Sequence, residues 1–327
     1  MDALSRRLVR SALLGLLAWA ALLLVPLGPD AGLDEAARLV LLAPLGVVPL
    51  LLVAAVPFAF GEPAPRLLAA ASWAMLPAAL AASAAFALPQ GTVAGVLVVP
   101  WGGVTALVAA WALGGAWARW RTDRLDAPEA LVAAGWASLP GGAVWLLFAR
   151  SGIDPGPYGD LVVLLTAAHF HYAAFAAAVW SGLLGRALAD ATPALRRAHA
   201  VLGAGLVVGF WLVAVGIALS RGPAGASVIE TAGVLLLTTS AIALGGIGLV
   251  VASRLPDRWG SVMVAVSGGA LALAMAFALW FNLAPRLGVD GPTIGTMLAR
   301  HGWLNAVGFG LWGALGWRRL RPRPATP

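Results

Sequence analysis

The chain of 327 residues has no cysteine and no lysine. Without thiols there is no disulfide, no thiolate nucleophile, no cysteine-held iron–sulfur cluster and no thiolate or covalently attached haem. Without a lysine amine no Schiff base forms, which removes retinal-type pumps and pyridoxal chemistry. Charge is scarce too, at 11% of residues against about 25% in soluble domains. No Walker loop, no dinucleotide-binding glycine fingerprint, no H-E-x-x-H and no usable G-x-S-x-G occurs, so ATP-driven pumping by this chain alone is not expected.

What the chain has instead is apolar surface. Hydrophobic residues make up 61% and the mean hydropathy is +0.90, more than a water-soluble fold can bury. An all-α, polytopic transmembrane helix bundle follows. Runs of roughly 20 apolar residues, the length that crosses about 30 Å of hydrocarbon, fall at 11–28, 36–60, 66–88, 91–118, 129–150, 160–184, 198–219, 226–251, 260–284 and 293–316. None alternates as a membrane barrel strand would. One integral membrane domain over residues 1–327 is predicted, with ten helices and loops too short for a soluble catalytic domain. The first run is read as a retained helix, since Pro-Asp-Ala-Gly after it is a poor cleavage site.

All 21 basic residues are arginine and the net charge is +7. Nucleic acid is not expected as the partner, because the arginines are scattered over short loops. They fit membrane orientation better. With a cytoplasmic N-terminus, 16 arginines fall inside, among them Arg66, Arg119, Arg186, Arg196, Arg254 and Arg323; four, Arg38, Arg150, Arg221 and Arg286, fall outside; and Arg300 lies within the tenth helix. Both termini are then cytoplasmic, and the expected location is the cell (cytoplasmic) membrane, in contact with the lipid bilayer. Tryptophans such as Trp19, Trp73, Trp120 and Trp317 are expected in the interfacial belts. Prolines 44, 49, 57, 77 and 100 should break or kink helices and free carbonyls for neighbours. Gly205-x-x-x-Gly209 and Ala241-x-x-x-Gly245 should mark close helix packing.

Polar residues at membrane depth are few, and each is a candidate for function. His169-Phe170-His171-Tyr172 lies near the middle of the sixth helix. His169 and His171, at i and i+2, point to nearly opposite faces, whereas Thr166, His169 and Tyr172 form a stripe. In the tenth helix His301 and Asn305 share a face at i and i+4, at the depth of His169, and Gly302 between them permits a close approach. Trp303 and Trp312 flank this stripe and could line a cavity. Glu230 lies a turn into the eighth helix, on a face with Ser227, Thr231, Val234 and Thr238; Arg300 lies at similar depth and could pair with it. His199, beside Arg196 and Arg197, is expected at a solvated interface, and Asn282 at a helix end.

The stretch His169-Phe170-His171-Tyr172-Ala173-Ala174-Phe175 resembles the HFHYAGF-type motif of the YndJ-like family of bacterial membrane proteins, with Ala174 where that motif has Gly. Arg300-His301-Gly302-x-Leu304-Asn305-Ala306-x-Gly308-Phe309 is similar to the family's closing stretch. The resemblance covers about 130–320. It implies the family's loose label of transporter, with no defined substrate, and singles out His169, His171, Tyr172, His301 and Asn305.

Three roles are consistent with these residues. The first is a secondary transporter for a small molecule or ion, with a substrate or proton site at His169, Tyr172, His301, Asn305, Glu230 and Arg300. The second is a haem- or transition-metal-binding protein or oxidoreductase using His169, His171 and His301. The third is an accessory protein whose histidines only tie helices together. A non-enzymatic role is favoured. Cofactor, substrate and oligomeric state are not legible.

Overall fold

The computed structural model describes residues 3–56, 66–219 and 228–322. Pro57, Arg221, Ser227 and Arg323 lie outside the described residues. The chain forms ten helical rods with no strand among the described residues. They are α1 (Ala3–Leu22), α2 (Ala31–Ala55), α3 (Arg66–Ala87), α4 (Thr92–Trp120), α5 (Ala127–Ser151), α6 (Asp160–Ala187), α7 (Pro193–Leu219), α8 (Val228–Ala252), α9 (Arg258–Leu287) and α10 over 294–320. Eight of them, α2 to α9, are long and apolar enough to cross a membrane. α1 is diluted by Arg6, Arg7 and Arg10, and α10 by Arg300, His301, Asn305, Arg318 and Arg319.

The rods match the predicted runs in number and order. The largest shift is at α1, which begins at Ala3 and ends at Leu22. Its basic first turns continue the helix because Arg7 has somewhere to go: Nε donates to Ser72 Oγ at 3.3 Å and the guanidinium lies 4.5 Å from the centre of the Trp73 ring. Aspartates start three of the rods, as expected for residues that cap free N–H groups: Asp30, Asp126 and Asp257 accept from Leu33, Glu129 and Gly260.

α2 is the centre of the bundle, 94% buried along its apolar stretch, whereas α7 is 28% buried at the edge. α7 and α8 form an antiparallel pair against α9. Gly209 lies against the Leu237 backbone and Gly245 against the Gly268 carbonyl, so both small-residue pairs are used within the chain. Trp73 and Trp120 are exposed, as interfacial residues would be, but Trp19 and Trp317 are buried. Trp19 is turned inward because its indole donates to the Arg38 carbonyl at 2.7 Å. Trp317 belongs to a core group with Trp180, its ring centre 6.0 Å away.

Two arginines counted by position as loop residues are built into the bundle. Arg150 is nearly buried; it donates to the Ala85 and Leu88 carbonyls at 3.2 and 2.6 Å, capping the end of α3. Arg186 is fully enclosed and ion-paired with Glu129, its Nε 2.6 Å from Oε1. Arg186 Nη1 also donates to the Ala55 carbonyl at 3.0 Å, at the end of α2. Arg119 approaches the other carboxylate oxygen at 3.9 Å. The pair locks the start of α5, the end of α6 and the end of α2 together.

Removing one partner of such a pair leaves a buried charge uncompensated, at about 3–5 kcal/mol, whereas replacing both by apolar residues is often neutral. Glu129→Gln is therefore expected to lower thermal unfolding sharply in detergent, and the double change Glu129→Leu with Arg186→Met to recover most of the loss. Equal melting for Glu129→Gln and the parent would show that the pair does not hold these ends. At the same end, Asp257 caps α9 and binds Arg319 of α10. The Arg319 guanidinium and the Gly260 N–H hold its carboxyl below the usual carboxylate range. A depressed folded value stabilises above the unfolded value, near 4, and is lost as pH falls through the folded one. Asp257→Ala should thus melt below the parent at pH 7, with the gap closing as pH falls below about 4.

Candidate functional site

The site begins with a proline. Pro44 has no N–H, so the Val40 carbonyl loses its usual donor four residues on. The Ala43 N–H turns back to Val40 instead, and the chain widens into a π-helical stretch over Ala43–Val47. The Leu39 carbonyl, passed over by Ala43, accepts the hydroxyl of Tyr172 at 2.7 Å. This bond fixes α6 to the central helix.

α6 widens in its turn at Phe170–Ala176. His169 and His171 lie at this transition, and both rings bond back to the carbonyl four residues earlier: His169 Nδ1 to Leu165 at 2.7 Å and His171 Nδ1 to Ala167 at 2.8 Å. Back-bonding of this kind competes with the helix ladder. α10 is π-helical over Met297–Gly302 and Leu304–Leu311, and Asn305 Nδ2 donates to the His301 carbonyl at 3.0 Å. π-Turns are rare and gather at functional sites; here they fall on the three helices that carry Leu39, His169 and His301.

The two histidine helices meet. The rings of His169 and His301 have centres 6.4 Å apart. They stand at one end of a cavity of about 300 Å³ enclosed by α2, α6, α7, α8, α9 and α10. His169, Tyr172, His301 and Asn305 line it, with Glu230 in the first turn of α8 and Asn282 on α9. The remaining wall is aliphatic and aromatic, and the exposed side chains Ile217, Phe281 and Ile294 belong to it. Gly302 faces Leu39 of α2: a Cβ there would stand 2.6 Å from Leu39 Cδ1, so the leucine tip would have to shift.

Other candidates lie elsewhere. His171 faces away from the cavity and is completely buried; Trp101 of α4 donates to its Nε2 at 3.2 Å, the ring planes 18° apart. The set His169, His171, His301 therefore cannot converge on one ion. Thr166 donates to the Val162 carbonyl and, like Arg300, is not part of the cavity wall. Arg300 is exposed, and a cation within electrostatic reach of Glu230 is Arg286 at the end of α9. Trp303 and Trp312 do not line the cavity either; Trp303 donates to Glu35 at 2.7 Å and packs against Trp19 with the rings tilted by 56°. His199 is buried, not solvated, because its Nε2 donates to the Ser181 carbonyl of α6 at 2.8 Å. Asn282 lies in the cavity wall rather than at a cap.

The fit to a metal is incomplete. Holding Nδ1 on a backbone carbonyl is how ligating histidines are oriented, and His169 and His301 both do so. Yet among the described residues no group of three or more histidines and carboxylates gathers, and His301 Nε2 is already occupied by Asn305 at 3.1 Å. Protein metal sites commonly supply at least three ligands.

Comparison with known proteins assigns the family. The model of the YndJ-like protein family matches residues 38–309. The chain belongs to the YndJ-like family. The match runs from α2 into α10 and includes both histidine helices. A curated relative, the uncharacterized membrane protein YndJ of Bacillus subtilis (strain 168), is 28% identical over 209 residues, which are 63% of this chain and 35% of the relative. The chain thus spans about a third of that relative's length. No solved structure matches.

The opposed histidines make a direct test of the geometry. Replacing His171 by Phe leaves the Trp101 N–H buried without a partner, which costs about 1–3 kcal/mol; His169→Phe removes a ring that faces open space. His171→Phe is expected to melt clearly below the parent in detergent, and His169→Phe to stay close to it. The reverse order would mean that the two rings face the other way round.

Proposed function

We propose that this YndJ-like membrane protein is a secondary transporter whose substrate binds in the cavity between α6 and α10, at His169, Tyr172, His301 and Asn305, in the cell membrane. One observation carries this reading: two histidines from separate helices, each about a third of the way along its rod at 1.5 Å per residue, share one cavity. Imidazoles at that depth are costly unless they serve a polar ligand or a proton. Irregular π-turns on the surrounding helices support it, because distorted backbone is tolerated at membrane depth where it lines a cavity. With both termini on the cytoplasmic side, as the arginines suggest, the cavity faces outward.

The test is flux. Purified protein in proteoliposomes loaded with a pH-sensitive dye would be offered a panel of small amines, alcohols and carboxylic acids under an imposed proton gradient. At least one class is expected to move with a change in lumenal pH. His301→Ala and the gentler His301→Gln should abolish that movement with undiminished expression. If no compound moves, or if both His301 variants transport as the parent does, the transporter reading is wrong.

A further inference from the structure

The hydrogen-bond donors at the histidine end of the cavity are engaged by the protein itself, and this limits what that end can hold. One end of the Asn305 amide stands 3.0 Å from the His301 carbonyl oxygen and 3.1 Å from His301 Nε2. Two oxygens would repel at that distance, so this end is the nitrogen, and Oδ1 is the free end. An amide N–H beside Nε2 requires a lone pair there. His301 Nδ1, 2.8 Å from the Ala274 carbonyl, can only donate to it. His301 is therefore the neutral ring protonated on Nδ1.

For His169 the geometry fixes the tautomer of the neutral ring. Its Nδ1 donates to the Leu165 carbonyl at 2.7 Å, so the neutral ring carries its lone pair on Nε2, on the side away from its own helix. Among the described residues no protein group bonds His169 Nε2 or Asn305 Oδ1. The Tyr172 proton is on the Leu39 carbonyl and the Thr238 proton on the Val234 carbonyl. Glu230 adds a carboxyl group to the wall.

We infer that the cavity takes a small molecule with an apolar body and an ammonium head, an alkyl- or arylammonium compound; this rests on the cavity being the substrate site proposed above. An ammonium group is three donors and no acceptor, the complement of the two acceptors at the histidine end, His169 Nε2 and Asn305 Oδ1. A hydroxyl would supply one donor and leave its own lone pairs without partners, and a carboxylate at the histidine end would meet acceptors only. A bare metal ion would leave the apolar wall unfilled. The space of about 300 Å³ is about twice the 150 Å³ apolar cavity that admits benzene, so an aromatic ring with a short aminoalkyl arm fits.

The experiment compares three probes that differ in the head alone: 2-phenylethylammonium, 2-phenylethanol and 3-phenylpropanoate. Each is titrated into the full chain in lipid nanodiscs at pH 7.5, with binding followed by calorimetry. The ammonium is expected to bind at least tenfold more tightly than the alcohol, and the carboxylate not to bind. His169→Phe and Asn305→Leu should each weaken the ammonium at least tenfold and leave the alcohol within a factor of about two. A carboxylate or alcohol that binds as tightly as the ammonium overturns this inference, as does an ammonium affinity untouched by both variants, or no binding of any probe. In each of those cases the flux assay decides separately whether the transporter reading survives.

Discussion

Polar groups inside a helix bundle in hydrocarbon have no water to fall back on, and each must find its partner on a neighbour. Many of the cross-helix bonds of this chain take one recurring form: a side-chain donor on a backbone carbonyl. Tyr172 binds Leu39, His301 binds Ala274, Arg186 binds Ala55, and Arg150 binds Ala85 and Leu88. The consequence for the cavity is chemical. Once side-chain N–H and O–H groups are committed to carbonyls, what remains facing the histidine end of the cavity is lone pairs. The interactions that hold the bundle together and the acceptor character of its cavity have the same origin.

The π-turns follow from that rule as well. Pro44 removes one donor from α2, and the freed hydrogen-bonding capacity is passed on until Tyr172 uses it. In α6 the imidazoles at 169 and 171 compete for carbonyls that the helix would otherwise use, and the turn after them opens. The widened turn keeps the two rings on opposite sides, one against Trp101 and one in the cavity. A pair that looks in one dimension like a joint ligand set is thus divided into a packing residue and a site residue.

How much of this was legible follows from what a linear sequence carries. Apolar run lengths give depth, and depth was enough to bring His169, His301 and Asn305 to one level and to mark Glu230. The i, i+2 and i, i+4 spacings gave relative azimuth within a helix, which separates His171 from His169. Azimuth between helices is not written in the chain. Arg186 and Glu129 are 57 positions apart and each sits at a helix end, where an isolated charge is indistinguishable from a loop residue. His199 beside Arg196 and Arg197 looked solvated for the same reason, and Trp317 looked interfacial because it is near an end. Burial at the ends of rods depends on which neighbours close over them, which only the assembled bundle decides.

The two ends of the bundle are unequal, and this bears on how a transporter built this way would work. The cavity reaches from Glu230 and Asn282 to His169 and His301. Beyond the histidines, toward the far end, α6 and α10 are joined by Trp180, Phe309 and Trp317, each no more than 1% exposed, with ring centres of 5.9 Å for Trp180–Phe309 and 6.0 Å for Trp180–Trp317. The Glu129–Arg186 pair closes the same end. In lipid the aromatic group is held by shape and dispersion more than by water exclusion, so separating α6 from α10 there costs packing, and polar groups exposed by it would have to be solvated at once. The buried pair is suited to that event. Two charges that gain little while enclosed recover hydration when the end opens, which offsets part of the lost aromatic contact. In the transporter proposed above, the closed and open arrangements would thereby be brought nearer in free energy than an all-apolar plug would allow.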